Sequence, residues 1–297
     1  MASFKSAGIK LFYEETGRGH PLLFLHEFGG DARAWEQQVR HFSRRYRCIV
    51  TAARGYPPSD VPDDENAYGW EQSLSDAVAV LDHLKIDRAH VIGLSMGAYT
   101  GLMMALRHGE RVSALVAASG GSGAHLPTRD NFIEETLKAA GQILKESRVP
   151  ADDIARRPNR IQLKYKDPRE WEKFRDHLSQ HPGIGSGYTL RHVQAARPSL
   201  HDFKAELGSV SAPTLLLVGD EDEACLDINL WLKRTMPMAG LVVIPKSGHL
   251  LNLEEPARFN TLCGDFFTAA ENGRWRKRDE ATASDRVYTH GDGVGEE

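Results

Sequence analysis

The 297-residue chain has little cysteine, no strong excess of either charge and no long apolar run. Its three cysteines, Cys48, Cys225 and Cys263, are an odd number at wide spacing, so they predict neither a disulfide framework nor a metal site. The formal net charge of −4 gives no reason to expect nucleic acid or an acidic membrane surface as a partner. The longest apolar runs have the length of a strand, far short of the roughly 20 residues that a membrane-spanning helix needs.

The two ends of the chain are also poor in apolar residues. The N-terminal stretch MASFKSAGIKLFYEE has no apolar core of the kind that an export signal carries. A protein without such a signal and without a disulfide framework is expected in the reducing cytoplasm. From residue 271 onward the chain becomes basic, then acidic and glycine-rich, so residues 271–297 are predicted to form a disordered tail.

Short apolar runs alternate with segments of helical spacing along the rest of the chain. The runs have the continuous apolar character of strands buried on both faces, and they occupy residues 21–26, 47–51, 90–94, 113–118, 213–218 and 240–244. The alternation predicts the α/β class, with a mostly parallel, doubly wound sheet covered by helices on both faces. Residues 9–13 alternate apolar and polar side chains instead, which predicts an antiparallel edge strand.

One long segment interrupts this alternation. Residues 120–207 are polar and mostly helical in pattern, without a convincing buried strand. Because the strand pattern resumes after them, they predict a helical cap inserted late in the sheet rather than a separate second domain. The predicted organisation is therefore a core of residues 1–119 and 208–270 with a cap of residues 120–207.

The sequence G-L-S-M-G at residues 93–97 lies between a predicted strand and a predicted helix. In a G-x-S-x-G motif the serine stands on a sharp strand-to-helix turn, and side chains at the glycine positions would collide with neighbouring backbone. The helix that follows directs its free N–H groups and its positive dipole end toward the site. Ser95 is therefore the predicted nucleophile, with a structural glycine-rich turn as the alternative.

A serine hydroxyl is a weak nucleophile, so a base and an orienting carboxylate are expected elsewhere in the chain. Among the 13 histidines, His249 stands out because it follows a predicted strand closely. The acidic cluster at residues 220–223 follows the preceding strand directly. Within it Asp222 is the predicted carboxylate, Asp220 is expected to serve as a turn or capping residue, and the two glutamates are expected to be solvated.

Three separated motifs, LLFLHEFGG, GLSMGA and GDEDE with SGHLLNLEEP, resemble the α/β-hydrolase superfamily in their order and spacing. The resemblance extends over about residues 9–270 and points in particular to cytoplasmic bacterial esterases and enol-lactonases. Ser95, Asp222 and His249 follow one another in the chain order that this fold requires for its catalytic triad. The motifs are specific for the superfamily but not for any one substrate.

The resemblance also implies an oxyanion hole made of two backbone N–H groups, those of Phe28 and Met96. The family usually has His-Gly before the first of these donors, whereas this chain has His26-Glu27. A carboxylate pointing at a developing oxyanion would be unfavourable. We therefore expect Glu27 to be turned away or bound by a donor, and the alternative is that it contacts a cationic or hydroxylated group of the substrate.

The predicted cap contains several aromatic residues. Trp171 and Phe174 share one helix face because they are three residues apart. Most such side chains hold a cap onto the core, but caps of the family form the roof of the active site. Trp171, Phe174 and Tyr188 are therefore predicted substrate contacts, together with His26 and Glu27.

These residues predict a serine hydrolase that cleaves a carboxylic ester or a lactone through an acyl-enzyme on Ser95. Hydrolysis of a C–C bond in a diketone or dienoate by the same triad is an open alternative, and a slow-turnover sensor of a small ligand is an alternative of another class. No cofactor or metal is implied, since the sequence shows no ligand cluster of histidine, cysteine and carboxylate. The expected partner is a partly apolar small molecule, and the expected state is a monomer or a homodimer.

Overall fold

One sheet of eight strands runs through the computed structural model, which describes residues 2–279 and residue 282. The strands are β1 (Ala2–Ser6), β2 (Ile9–Thr16), β3 (His20–Leu25), β4 (Tyr46–Thr51), β5 (Ala89–Leu94), β6 (Val112–Ala118), β7 (Thr214–Gly219) and β8 (Ala239–Ile244). Their order across the sheet is β1-β2-β4-β3-β5-β6-β7-β8. β2 pairs antiparallel with β1 and β4, and all other neighbours are parallel. The predicted α/β class and mostly parallel sheet are confirmed, and β1 is an additional strand.

Helices cover both faces of this sheet, and further helices form the segment between β6 and β7. In the described ranges they are α1 (Glu36–Phe42), α2 (Trp70–His83), α3 (Met96–Arg107), α4 (Arg129–Glu146), α5 (Ala151–Ala155), α6 (Ile161–Lys166), α7 (Pro168–Ser179), α8 (Gly183–Tyr188), α9 (Lys204–Leu207), α10 (Glu223–Thr235), α11 (Leu251–Glu254) and α12 (Pro256–Glu271). A π-helical turn, Thr189–Ala195, continues α8. Across the part of the chain that the structure describes, no helix is both long and apolar enough to cross a membrane.

The central strands bury apolar side chains on both faces of the sheet. On β3, Leu22 and Phe24 belong to the core that includes α1 and α12, whereas Leu23 belongs to the opposite core, which includes α2 and α3. Burial of each such side chain stabilises the fold by about 1.5–3 kcal/mol relative to leaving it exposed. This two-sided burial explains the continuous apolar runs and fixes the carboxyl ends of the strands, where the loops of the site begin.

The segment between β6 and β7 contains helices α4 to α9 and, within the described residues, no strand. β6 and β7 are parallel neighbours, so the chain leaves and re-enters the sheet at adjacent positions. A single isolated bridge between Arg148 and Pro182 ties two parts of this segment together. We keep the name cap for residues 120–207.

The structure corrects the start of the predicted tail. Glu271 is the last residue of α12, and its carboxylate accepts a hydrogen bond from Tyr46 at 2.8 Å. The Trp275 indole packs edge-on against Phe266 and donates to the Met238 carbonyl at 2.7 Å. The low apolar content of this stretch hid one large aromatic anchor: Glu271 and Trp275 contact the core, while most other side chains of residues 271–279 are exposed. Residues 280, 281 and 283–297 of the predicted tail lie outside the described residues.

Candidate active site

Ser95 lies at the turn between β5 and α3. Its backbone has φ +54° and ψ −106°, a conformation that residues other than glycine rarely adopt. A Cβ at Gly93 would collide with the Gly97 carbonyl oxygen, and a Cβ at Gly97 would collide with the carbonyl oxygen of Leu25. The two glycines therefore allow the close packing that holds this turn, and strain of this kind is typical of functional sites.

Asp222 and His249 come from the loops that follow β7 and β8. Asp222 Oδ2 lies 2.7 Å from His249 Nδ1, and both side chains are buried. The cap residue Asn159 contacts both of them: its carbonyl oxygen accepts the His249 backbone N–H at 2.7 Å, and its Nδ2 lies 3.5 Å from Asp222 Oδ1. With Nδ1 directed at the carboxylate, Nε2 is the ring nitrogen left for proton transfer.

The environment of Asp222 keeps its carboxylate ionised. Burial alone would raise the pKa of Asp222, but the charge and hydrogen bond of His249 outweigh burial, helped by hydrogen bonds from Cys225 and Asn159. The resulting pKa lies below the ordinary value for aspartate. A buried carboxylate at this place accepts from His249 Nδ1 and so fixes the orientation of the imidazole ring.

The structure corrects the expectation that no ligand cluster is present. Within the described residues, Asp222, Cys225 and His249 each offer one potential metal-ligand atom, all within 4.8 Å of one another. The sequence concealed this cluster because His249 lies on a different loop. Burial raises the pKa of the Cys225 thiol well above its ordinary value, and the neutral thiol is a poor metal ligand. The three residues are better described as a histidine–carboxylate pair, in which the Cys225 thiol also donates to the Asp222 carboxylate.

Of the three other acidic residues of the cluster, two connect the loop after β7 to neighbouring segments. Asp220 Oδ1 accepts the Ser247 backbone N–H at 3.2 Å and so links the loops after β7 and β8. Glu221 is not simply solvated, because it accepts a hydrogen bond from the cap residue Gln162 at 2.7 Å. Glu223 is exposed, as the first residue of α10.

The His249 loop is also held by a buried carboxylate that the sequence analysis did not single out. Glu254 accepts the backbone N–H of Gly248 at 2.7 Å and that of Leu250 at 3.1 Å. These are the residues on either side of His249. Burial raises the pKa of Glu254 above its ordinary value, and the two backbone donors and Lys166 oppose that rise. The side chain of Glu254, six residues after Gly248, therefore holds the backbone of the His249 loop.

The loop after β3 carries the predicted oxyanion donor Phe28. His26 fixes the start of this loop, because its Nδ1 lies 2.7 Å from the Glu27 carbonyl oxygen and its Nε2 accepts the Ala53 N–H at 3.0 Å. Tyr56 donates to the Phe28 carbonyl oxygen at 2.8 Å. Met96 is the first residue of α3, so its N–H has no acceptor within the helix.

Glu27 has a buried cationic partner. Arg160, from the cap, donates from Nη2 to Glu27 Oε2 at 2.5 Å, and the two side chains are 7% and 1% exposed. Burial alone would raise the pKa of Glu27, but the charge of Arg160, and next that of His249, outweighs it and lowers this pKa. The carboxylate is thus ionised and bound by a donor, as expected for a residue that must not oppose an oxyanion.

The architecture and these loops agree with a known family. A sequence profile described as the alpha/beta hydrolase fold matches residues 20–256, a span that includes every loop described above. The chain belongs to the α/β-hydrolase family. It is accordingly an enzyme of the hydrolase class, and the resemblance to the α/β-hydrolase superfamily inferred from its motifs is confirmed.

The relatives of this hydrolase are named for different activities. The 2-hydroxymuconate semialdehyde hydrolase of Pseudomonas sp. (strain CF600) is 28% identical over 273 residues, covering 90% of this chain and 93% of that protein. The 3-oxoadipate enol-lactonase 1 of Acinetobacter baylyi (strain ATCC 33305 / BD413 / ADP1) is 26% identical, covering 82% and 87%. The solved structure of a thermophilic esterase from Thermogutta terrifontis, with malate bound, has a TM-score of 0.81 at 25% identity and covers 91% and 98%.

The predicted substrate contacts of the hydrolase have unequal surroundings. Both ring nitrogens of His26 are bonded to backbone, so neither is left for substrate. Trp171 donates to the Ala155 carbonyl at 2.9 Å and lies inside the cap. Tyr188 packs against Tyr68, with ring centroids 5.4 Å apart. Phe174 differs, because a Cβ at Gly29 would lie 3.3 Å from its ring, which places it against the loop of Phe28.

Two residues of the hydrolase that matter to this geometry escaped the sequence analysis. Asn159 and Arg160 lie in a short cap connection between α5 and α6, where no periodicity or motif marks them. The one available signal was indirect. A glutamate at position 27 was expected to be turned away or bound by a donor, but the chain contains many arginines that could be this donor. Only the fold shows which arginine supplies it.

Proposed function

We propose that this hydrolase cleaves a carboxylic ester or a lactone through an acyl-enzyme formed on Ser95. The observation that supports this most is the buried 2.7 Å contact between Asp222 and His249 at the same sheet edge as the strained Ser95 turn. A serine, an imidazole and a carboxylate in this chain order are the parts that acyl transfer requires.

In the proposed reaction Ser95 Oγ attacks the carbonyl carbon while His249 Nε2 takes the hydroxyl proton. The tetrahedral oxyanion is held by the N–H groups of Phe28 and Met96. His249 then returns its proton to the departing alcohol oxygen, which leaves the acyl group on Ser95. A water molecule, deprotonated by His249, releases the acid by the same steps in reverse order. Asp222 keeps the imidazole in the required tautomer throughout.

Hydrolysis of a C–C bond is the second candidate. Its specific support is the similarity to the 2-hydroxymuconate semialdehyde hydrolase of Pseudomonas sp., which extends over 90% of this chain. The same serine, histidine and aspartate would serve either reaction, so the geometry does not discriminate between them. A sensor of a small ligand would use the same pocket but would turn over slowly.

The proposal extends to the setting in which the enzyme works. Its substrate is a small, partly apolar molecule, since Phe174 packs beside the oxyanion loop. The compartment that we propose is the cytoplasm, with which three free and buried cysteines are compatible. We propose a monomer or a homodimer as the working state.

The test is a panel of nitrophenyl esters, lactones and dienoates assayed with the wild type and with Ser95→Ala. Removing the nucleophile is expected to lower kcat by about 10⁴-fold or more, because members of a triad act as a unit. Ser113→Ala, at the opposite end of the sheet, is the matched control and should keep at least about half of the activity. A folded Ser95→Ala enzyme with more than about a tenth of wild-type kcat would refute the proposal.

A further inference from the structure

One short cap segment, residues 159–166, reaches the loops after β3, β7 and β8, which carry Glu27, Asp222 and His249; we call it the docking segment. It bonds to the Asp222 loop through Gln162 and to the Glu27 loop through Arg160. On the His249 side, Lys166 Nζ lies 2.8 Å from Ser247 Oγ. The polar contacts of the docking segment are therefore concentrated on the catalytic loops of the core.

The contact between Asn159 and His249 is made by the backbone of both residues. The Asn159 carbonyl oxygen accepts the N–H of His249, and a Cβ at the neighbouring Gly248 would lie 2.5 Å from that oxygen. Glycine at position 248 is thus needed for the cap to approach. A movement of the cap away from the core would break this hydrogen bond and leave the His249 N–H without its acceptor.

The contact at Arg160 neutralises a charge. Glu27 adjoins Phe28, whose N–H is a proposed oxyanion donor, and its carboxylate would repel the developing oxyanion if Arg160 were absent. The pair is buried, so solvent does little to screen that repulsion. Another ion pair between cap and core, Arg191 with Glu65, is 37% and 44% exposed and lies outside the loops after β3, β7 and β8.

We propose that the docking segment is a positioning element of the active site, in which Asn159 holds the acid–base pair and Arg160 neutralises Glu27 beside the oxyanion hole. This inference rests on the proposed acyl-enzyme function. It assigns to the cap a role in the chemical step, in addition to covering the substrate. Arg160 and Asn159 are positioning residues, because they act through Glu27, Asp222 and His249.

A charge-compensation cycle tests the proposal. It compares the wild type, Arg160→Met, Glu27→Gln and the double variant, with kcat expressed per active site titrated by a fluorophosphonate. Arg160→Met is expected to lose about a hundredfold in kcat, with KM changed by less than about threefold, since the exposed charge acts on the transition state. Adding Glu27→Gln to Arg160→Met removes that charge. The kcat of the double variant should therefore be at least about tenfold higher than that of Arg160→Met. Arg160→Lys should also retain most of the activity.

A purely structural role of the pair gives a different result. In that case the double variant, which also lacks the ion pair, would be no faster than Arg160→Met, and this result would overturn the proposal. So does a kcat for Arg160→Met within about threefold of wild type. If Arg160→Met does not fold, Arg160→Gln, which keeps a donor without the charge, takes its place in the cycle.

Glu65→Gln is the matched control, since it breaks the exposed ion pair between cap and core and should change kcat by less than about twofold. The proposed function fails separately from this inference. The proposed function is refuted if the fluorophosphonate does not label the wild type, or if Ser95→Ala is active. A labelled wild type with an inactive Ser95→Ala but no charge compensation leaves the function standing and removes only the role of the docking segment.

Discussion

The two ends of the sheet each carry a buried histidine bonded to a carboxylate. At the carboxyl end, His249 Nδ1 lies 2.7 Å from Asp222. At the amino end, His90 Nε2 lies 3.1 Å from Glu271. His90 and Ser95 are five positions apart on the chain, at opposite ends of β5, so one strand connects the two regions.

The surroundings of the two pairs differ. Asp222 and His249 lie on loops at the same sheet edge as the strained Ser95 turn, and the cap residue Asn159 contacts both of them. His90 lies inside the sheet and stacks on Phe267, with ring centroids 4.5 Å apart, while Glu271 also accepts from Tyr46. A histidine–carboxylate pair is therefore not a catalytic signature by itself. What distinguishes the first pair is its position on loops at the carboxyl ends of the strands, the same edge at which the strained Ser95 turn lies.

The largest expected effect comes from breaking the pair at the carboxyl end. Asp222→Asn should lower kcat by about 10⁴-fold, because an amide cannot hold the same imidazole tautomer or stabilise its charged form. Asp220→Asn should cost less than about tenfold, since Asp220 only links two loops. Steady-state kinetics on folded proteins checks both. The reverse order of the two losses would mean that the carboxylate lies two residues earlier.

The pair at the amino end should instead appear in the pH dependence of stability. Burial lowers the pKa of His90 to about 4 from the ordinary 6.5, so the folded protein keeps this ring neutral where the unfolded chain protonates it. The contribution of neutral His90 to the free energy of unfolding is fully present above about pH 6.5. It is lost as the pH falls toward 4, by up to about 3 kcal/mol.

Urea unfolding at pH 7 and at pH 4.5 measures this contribution in the wild type and in His90→Leu. The loss of stability between the two pH values should be smaller in the variant by about 2–3 kcal/mol. If His90→Leu loses as much stability between the two pH values as the wild type does, other groups are responsible for the loss in acid.

The smallest expected effect is that of Glu271→Gln on catalysis. This substitution changes the carboxylate bonded to His90 but leaves every loop at the other end of the sheet untouched, so kcat and KM should each stay within about twofold of wild type. The assay is the one used for Asp222→Asn, and a loss of tenfold or more would show that the two ends are coupled through β5.

Much of this arrangement could be predicted from the sequence because it depends on local patterns. The strand before Ser95 and the helix after it are marked by apolar spacing, and the glycines at positions 93 and 97 mark the turn between them. Strand ends also bring Asp222 and His249 to the same edge, since parallel strands align their carboxyl ends.

The cap contacts could not be predicted in this way. Glu27 and Arg160 are 133 positions apart, and a buried ion pair leaves no periodic signal in either segment. The same holds for Trp275, a single anchor inside a polar stretch. Where one long-range contact decides a position, composition and spacing give no means of choosing among several candidates.

The insertion of the cap between neighbouring strands has a consequence for exchanging parts among relatives. Because β6 and β7 lie side by side, a cap of another length could be grafted between Ala118 and Thr214 without altering the register of the sheet. The graft would still remove the carbonyl acceptor of the His249 N–H and the cation that faces Glu27. A chimaera with a foreign cap should therefore fold yet turn over slowly until position 27 is changed to glycine, the residue usual in the family. On the proposed role of the docking segment, exchanging the cap changes the rate of the chemical step, so caps are not independent modules.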